Sequence, residues 1–400
     1  MSIASLATWK RRANFRFCLL AAFAGAALAS GCASTGLSDM TAKVASVGDV
    51  FAAKAPTAPH QFFIFVASTR KGERGPASET AVDGGVRLSL QMISVPPDHA
   101  AGEIERPSFG SPDAGKHFVA MSRRELDDAS FQRELATHIS GRIGSNRDIL
   151  LYVHGFNTSY EEARFRLAQI AEDGRFGGVP VLFTWPSGSL LDYEAARESA
   201  TASRDALGKL IRELAAVPEA GRVQILAHSM GTWLTMEALR ENAIAGSPDL
   251  DGRLGNVMLA APDIDLSVFR QQIARLDASH VSVLVSAKDR ALSISRTLAG
   301  DRPRVGALDP RNANDRAALD RLGVKVYDLS ALSTGLIGHG TYADAPQVVR
   351  SIGARIGEAR PQDADKQAVL GERPVSSASP GIDTQPLPAP GAAASATPAE

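Results

Sequence analysis

Residues 222–231 read RVQILAHSMG. Arg222 to Ala227 is a short apolar run with the length of a buried strand, and Met230 to Asn242 beyond it has the composition of a helix. Between the two, Ala227-x-Ser229-x-Gly231 is a variant of the G-x-S-x-G turn, in which a serine stands at a sharp strand-to-helix bend. The bend requires small residues on both sides, because the backbone leaves no room beside the serine for bulky side chains. Such a turn lifts the hydroxyl clear of a sheet and sets it at a helix N-terminus. Five residues carry little weight alone; the strand before them and the helix after them give the pattern its meaning.

Working outward, the same alternation repeats. Ile149 to Val153, Pro180 to Thr184, Asn256 to Ala261, Val281 to Ser286 and Lys325 to Leu329 read as strands. Tyr160 to Ala171, Tyr193 to Ala216 and Leu266 to Leu276 read as the helices between them. Toward the N-terminus, Phe62 to Ala67 (FFIFVA) and Val86 to Val95 (VRLSLQMISV) predict two more strands, and Ser122 to Arg142 predicts a helix. Short apolar strands alternating with helices imply an α/β fold, a mainly parallel sheet covered on both faces. In such sheets ligands sit beyond the carboxyl ends of the strands, so chemistry is expected in the loops that follow them.

A serine hydroxyl is a weak nucleophile until a base takes its proton. Of the eight histidines, only His280 and His339 follow Ser229. His280 opens an apolar strand, whereas His339 lies in Gly338-His339-Gly340, a loop after the last strand, where the base of this chain order belongs. The imidazole needs an acid to hold its tautomer. Asp289 follows the strand Val281 to Ser286, the seventh when the elbow strand is counted fifth; Asp263 is the alternative, though it and Asp265 also suit the cap of the helix that begins there. Two backbone donors are expected for an oxyanion: the N–H of Met230, directly after the serine, and that of Phe156 in LLYVHGFN. His154, Trp185 and Tyr193 are candidates for the pocket wall, with His154 read as shaping its loop rather than as a second base and Trp185 alternatively part of a turn. His228 is expected to point away from the serine, and Ser187 lacks an elbow context.

These motifs support a comparison with a known family. FVAST (65–69), MISVPPDHAAGEIERP (92–107), LLYVHGFNTSYEEA (150–163), VLFTWPSG (181–188), ILAHSMG (225–231), LAAPDID (259–265) and VLVSAKDRAL (283–292) together resemble the bacterial α/β-hydrolase family DUF900. The resemblance runs from Phe62 to about Ser295. It implies the α/β-hydrolase fold and a Ser–Asp–His triad, which map by motif onto Ser229, Asp289 and His339. It implies no substrate.

The two ends read differently. Lys10, Arg11, Arg12 and Arg16 precede an apolar run of about 13 residues, Phe17 to Ala29, too short to span a bilayer as a helix. Ala29-Ser30-Gly31-Cys32 follows and resembles a bacterial lipoprotein signal, with Cys32 as the lipidated residue; an ordinary secretory signal cut nearby is the other reading. The expected organisation is a signal over 1–31, a tether over 32–60, a hydrolase domain over 61–360 and a disordered tail, rich in Pro and Ala, over 361–400. Cys18 and Cys32 are the only cysteines, so removal of the signal leaves no intramolecular disulfide. No HExxH or similar pairing suggests a metal, and no cofactor is implied.

The 400 residues carry a formal charge of -1, with no basic stripe interleaved with aromatics, which excludes a nucleic-acid partner. The sequence therefore predicts an exported, membrane-anchored serine hydrolase that cleaves carboxylic ester, lipid or thioester bonds through an acyl-enzyme, with water or another acceptor taking the acyl group. Its expected place is a bacterial envelope, on the outer membrane facing the periplasm. The alternative from another class is a catalytically silent binding module on the same fold.

Overall fold

The computed structural model describes residues 58–72, 85–189, 192–298, 300–332 and 338–357. Its strands are β1 (His60–Ser68), β2 (Arg87–Val95), β3 (Val119–Leu126), β4 (Ile149–Val153), β5 (Val179–Thr184), β6 (Val223–His228), β7 (Leu254–Ala260), β8 (Val281–Val285) and β9 (Lys325–Asp328). They form one sheet in the order β3-β2-β1-β5-β4-β6-β7-β8-β9. β2 pairs antiparallel with β1 and with β3, and every other pairing is parallel. The fold is an α/β-hydrolase fold.

The central strands β4, β5 and β8 read as unbroken apolar runs because both faces of the sheet are covered there. In β4, Ile149, Leu151 and Val153 face one core while Leu150 and Tyr152 face the other. Helices α1 (Asp128–Ile139), α3 (Tyr193–Ala215), α4 (Met230–Ile244), α5 (Leu266–Ile273) and α7 (Ala313–Asp320) contribute to the first core. Helices α2 (Tyr160–Asp173), α8 (Thr341–Asp344) and α9 (Pro346–Gly357) contribute to the second. One more helix, α6 (Arg290–Leu298), follows β8.

One expectation requires correction. Ser122 to Arg142 is not a single helix: β3 occupies its start and α1 begins only at Asp128, capped by Asp127, whose side chain accepts from Ser130 N–H at 2.6 Å. The sequence VAMSRREL looks helical because it is charged, but those charges serve an edge strand, where Arg123 pairs with Glu125 at 2.5 Å and Arg124 with Glu134 of α1 at 2.7 Å. With β3 included, the elbow strand is the sixth in chain order and Asp289 follows the eighth.

The proline-bearing segment after β2 lies along α2. His99 sits between Glu105, at 2.9 Å, and Asp173, at 3.2 Å; burial is the largest single effect and lowers its pKa, but the two carboxylates together outweigh it and raise it. Arg106 pairs with Glu162 at 2.5 Å. The expected signal, almost all of the expected tether, and the expected tail lie outside the described residues, Cys32 included. Among the described residues no helix is long and apolar enough to cross a membrane.

Candidate active site

β6 ends at His228, α4 starts at Met230, and Ser229 between them has φ 53° and ψ -126°. For a residue with a side chain this backbone is strained, at a cost on the order of 1–3 kcal/mol, and it persists only where neighbours over-determine it. Here they do. The Ser229 N–H donates to the Ala260 carbonyl at 2.9 Å, and the Ser229 carbonyl accepts from Thr232 N–H at 3.0 Å and Thr232 Oγ1 at 2.5 Å. Two glycines allow the β4 loop to seat against this turn. A Cβ on Gly155 would stand 2.8 Å from both Ser229 Cβ and His228 Nδ1. One on Gly231 would stand 2.8 Å from the Val153 carbonyl and closer still to that of His154.

His339 Nδ1 lies 2.7 Å from Asp289 Oδ2. A carboxylate only accepts, so Nδ1 carries the proton of this bond and Nε2 is the ring nitrogen not engaged by Asp289. Asp289 is buried, and its other oxygen accepts from Leu292 N–H at 3.0 Å, capping α6. One carboxylate thus holds the histidine and starts the helix that follows. The short Gly338–Gly340 loop is tied by Thr341 Oγ1, which donates to the Gly338 carbonyl at 2.8 Å.

Met230 is the first residue of α4, where an N–H has no intrahelical partner. On the facing loop Asn157 has φ 51° and donates to the Ser187 carbonyl at 2.9 Å, while Thr158 N–H donates to Ser187 Oγ at 3.2 Å. Among the described residues no protein acceptor takes the N–H of Phe156 or of Met230. Ser187 is buried and its hydroxyl donates to the Thr158 carbonyl at 2.9 Å, so it braces this loop.

The residues expected to wall a pocket do other things. His154 is fully buried: its Nδ1 is 2.9 Å from the Gly155 carbonyl, its Nε2 is 2.9 Å from Thr184 Oγ1, and its ring is parallel to that of Trp185, with centroids 5.6 Å apart. Burial, with the Arg70 guanidinium adding to it, holds the His154 pKa well below the usual imidazole value. Trp185 is equally buried and donates from Nε1 to the His154 carbonyl at 3.0 Å. Neither has exposed surface to offer a ligand; together they support the loop that carries Phe156.

Tyr193 packs edge-on to Phe156, and its hydroxyl donates to Asp263 Oδ2 at 2.9 Å. Burial and then Asp263 push the Tyr193 pKa up to about 12. Asp263 itself accepts from Ser295 Oγ at 2.5 Å and pairs with the buried Arg304 at 3.2 Å. The structure therefore gives Asp289, not Asp263, to His339. Asp265 caps α5, accepting from Ser267 N–H at 2.9 Å. His280 is buried and holds the Gly255 carbonyl at 2.8 Å, at the opposite end of β7 from the serine turn.

His228, expected to point away from the serine, packs against the loop that carries His339. Its ring lies 4.6 Å from that of His339 and 4.5 Å from that of Tyr342, and its Nε2 is 3.2 Å from the His339 carbonyl. Sequence reasoning also passed over Arg70, Ser295, Arg304 and Tyr342. Arg70 alone carried a local signal, as a charged residue directly after an apolar strand; the partners of the other three come from distant elements. Among the described residues no group of three or more His, Cys, Asp or Glu could hold a metal ion.

A family profile described as an alpha/beta hydrolase of unknown function (DUF900) matches residues 127–355, more than half of the chain. The chain belongs to the DUF900 family. The matched span of this DUF900 protein includes Ser229, Asp289, His339, Phe156 and Met230. No curated protein matches it. Among solved structures, an esterase of Pyrobaculum calidifontis is 13% identical, with 80% of this chain and 92% of that one covered at a TM-score of 0.37. One of two fungal esterases of Rhizomucor miehei is 11% identical, with coverages of 82% and 91% and a TM-score of 0.37. Likeness at that level leaves the substrate to be argued from the site itself.

Proposed function

We propose that this DUF900 protein is a serine hydrolase that cleaves ester-type bonds through an acyl-enzyme. The observation that carries the reading is the 2.7 Å pairing of His339 with Asp289 on the same sheet edge as a serine held at positive φ. In this reading His339 Nε2 takes the proton of Ser229 as its oxygen attacks the ester carbonyl. The tetrahedral oxyanion is received by the N–H groups of Phe156 and Met230. Asp289 keeps the proton on Nδ1 and stabilises the imidazolium. The imidazolium then protonates the departing alkoxide, or thiolate for a thioester, and the acyl group is left on Ser229. Water, deprotonated by the same Nε2, releases the acid. Nothing in these steps calls for a metal or a cofactor.

The His339–Asp289 pairing also argues against the silent binding module, which has no use for an oriented imidazole beside the serine turn. Ser229→Ala is expected to abolish hydrolysis of p-nitrophenyl acetate, a small activated ester, with the melting temperature within a few degrees of the parent. Full activity in that variant would remove Ser229 from the mechanism.

Export and anchoring complete the proposal. Lipidation at Cys32 would hold the domain on a membrane of the bacterial envelope through a tether of about 28 residues, giving it access to lipid as well as soluble esters. The support is the basic, apolar and small-residue succession ahead of Cys32.

A further inference from the structure

His228 immediately precedes the nucleophile proposed above and is the last residue of β6. Its imidazole lies between two rings, tilted 49° to His339 and stacked at 28° on Tyr342. Nε2 is 3.2 Å from the main-chain carbonyl of His339. A carbonyl only accepts, so this nitrogen carries the proton and Nδ1 keeps the lone pair. Nδ1 faces Gly155, where a Cβ would come within 2.8 Å of it. The support continues inward: the Tyr342 hydroxyl is 2.7 Å from that of Tyr152, a residue of β4 beside β6. A column of rings thus runs from the sheet through Tyr342 and His228 to His339.

We propose that His228 is a positioning residue for catalysis: its Nε2–H fixes the main chain of His339, so that elbow and base-bearing loop are held in register by adjacent residues of one strand. This rests on the reading of Ser229 and His339 as nucleophile and base. Asp289 fixes how the His339 ring is turned, but it grips the side chain only. The carbonyl bond from His228 fixes the backbone from which that side chain hangs. A misplacement of about 1 Å in such a site costs roughly 100-fold in rate, so a single bond at this point has a large effect.

His228 is not itself a second base, because its proton-bearing nitrogen is committed to the carbonyl and the other is enclosed by the Gly155 loop. Its electrostatics suit the role. Burial holds its pKa well below the usual imidazole value, and His339, Arg166 and His154 push it further down. A neutral ring beside His339 does not oppose the imidazolium that forms there during acyl transfer.

The test compares His228→Phe, which keeps a stacking ring without a donor, with His228→Gln, whose amide Nε2–H stands near the position of the imidazole Nε2–H. Hydrolysis of p-nitrophenyl acetate and fluorophosphonate labelling are measured on both variants and on the parent, together with melting temperatures. The expected result is kcat lowered roughly 10- to 100-fold in His228→Phe. KM stays within about twofold, and His228→Gln recovers most of the loss. If His228→Phe does not fold, His228→Asn against His228→Gln makes the same comparison, because the asparagine amide stops short of the carbonyl. Parent-like kcat in a folded His228→Phe overturns the proposal while leaving Ser229 labelled. So does an equal loss in the Phe and Gln variants, which would mean ring packing alone. A folded parent that neither labels nor turns over overturns the serine-hydrolase reading, and the role of His228 with it.

Discussion

At the scale of single residues, two aspartates that look alike in the sequence have different surroundings. Asp289 holds His339 at 2.7 Å and caps α6, while Asp263 balances Arg304 inside a cluster with Tyr193 and Ser295. The Asp263 and Arg304 side chains are only 3% and 4% exposed, so removing the carboxylate leaves a buried cation without its partner. Asp263→Asn is expected to destabilise the domain by about 3–5 kcal/mol. Asp289→Asn is expected to lower kcat on the order of 10³–10⁴-fold while the domain still melts cooperatively. Thermal melts and esterase assays on both variants check this; an Asp289→Asn enzyme with near-parent kcat would contradict it. The candidate residues were legible as a set, because Ser229, His339 and Asp289 each lie in a segment that follows a strand. The surroundings were not. Neither the stacking of His154 on Trp185 nor the seat of His228 under His339 has a local signal, since both depend on which distant segments the sheet brings together.

At the scale of elements, the site depends on a loop pressed onto a strained turn. Gly155 and Gly231 are the contact points, and a methyl group at either would meet main-chain or elbow atoms rather than the flexible end of a side chain. Gly155→Ala is expected to cost about 1–3 kcal/mol of stability and to displace the Phe156 N–H. Its kcat should fall with its melting temperature, whereas parent-like values of both would show that the loop does not seat as described. The parallel core strands were legible because each is buried on both faces and reads as a continuous apolar run. β3 was not, since an edge strand exposes charged residues such as Arg124 and Glu125, and a run of them in sequence is equally suited to a helix surface. α6 and α7 also went unread. Each is short, and α6 owes its start to the same Asp289 that holds His339.

At the scale of the whole molecule, buried neutral histidines link stability to pH. His154 is fully buried with its folded pKa far below the unfolded value, and His228 is shifted in the same direction. Above about pH 6.5 they are neutral in both states and their contribution is complete. As pH falls below that, the unfolded chain binds protons that the folded one cannot, and stability falls by about 1.4 kcal/mol per pH unit for His154. His99 has a raised pKa and opposes this, because its contribution is present at low pH and lost as pH rises. Two histidines against one predict a melting temperature that drops between pH 6.5 and 5; a flat or rising one would contradict the holding of His154 and His228 as neutral groups. Anchoring also belongs to the whole chain: Cys32→Ser is expected to move the expressed protein from the membrane to the soluble fraction, and continued membrane association would remove the lipoprotein assignment. The central claim is that this DUF900 protein holds an activated serine, and the most direct test is to treat residues 33–400 with a fluorophosphonate and map the adduct by mass spectrometry. The account predicts one adduct, on Ser229, lost in His339→Ala; folded protein that stays unlabelled, or is labelled elsewhere, would contradict it.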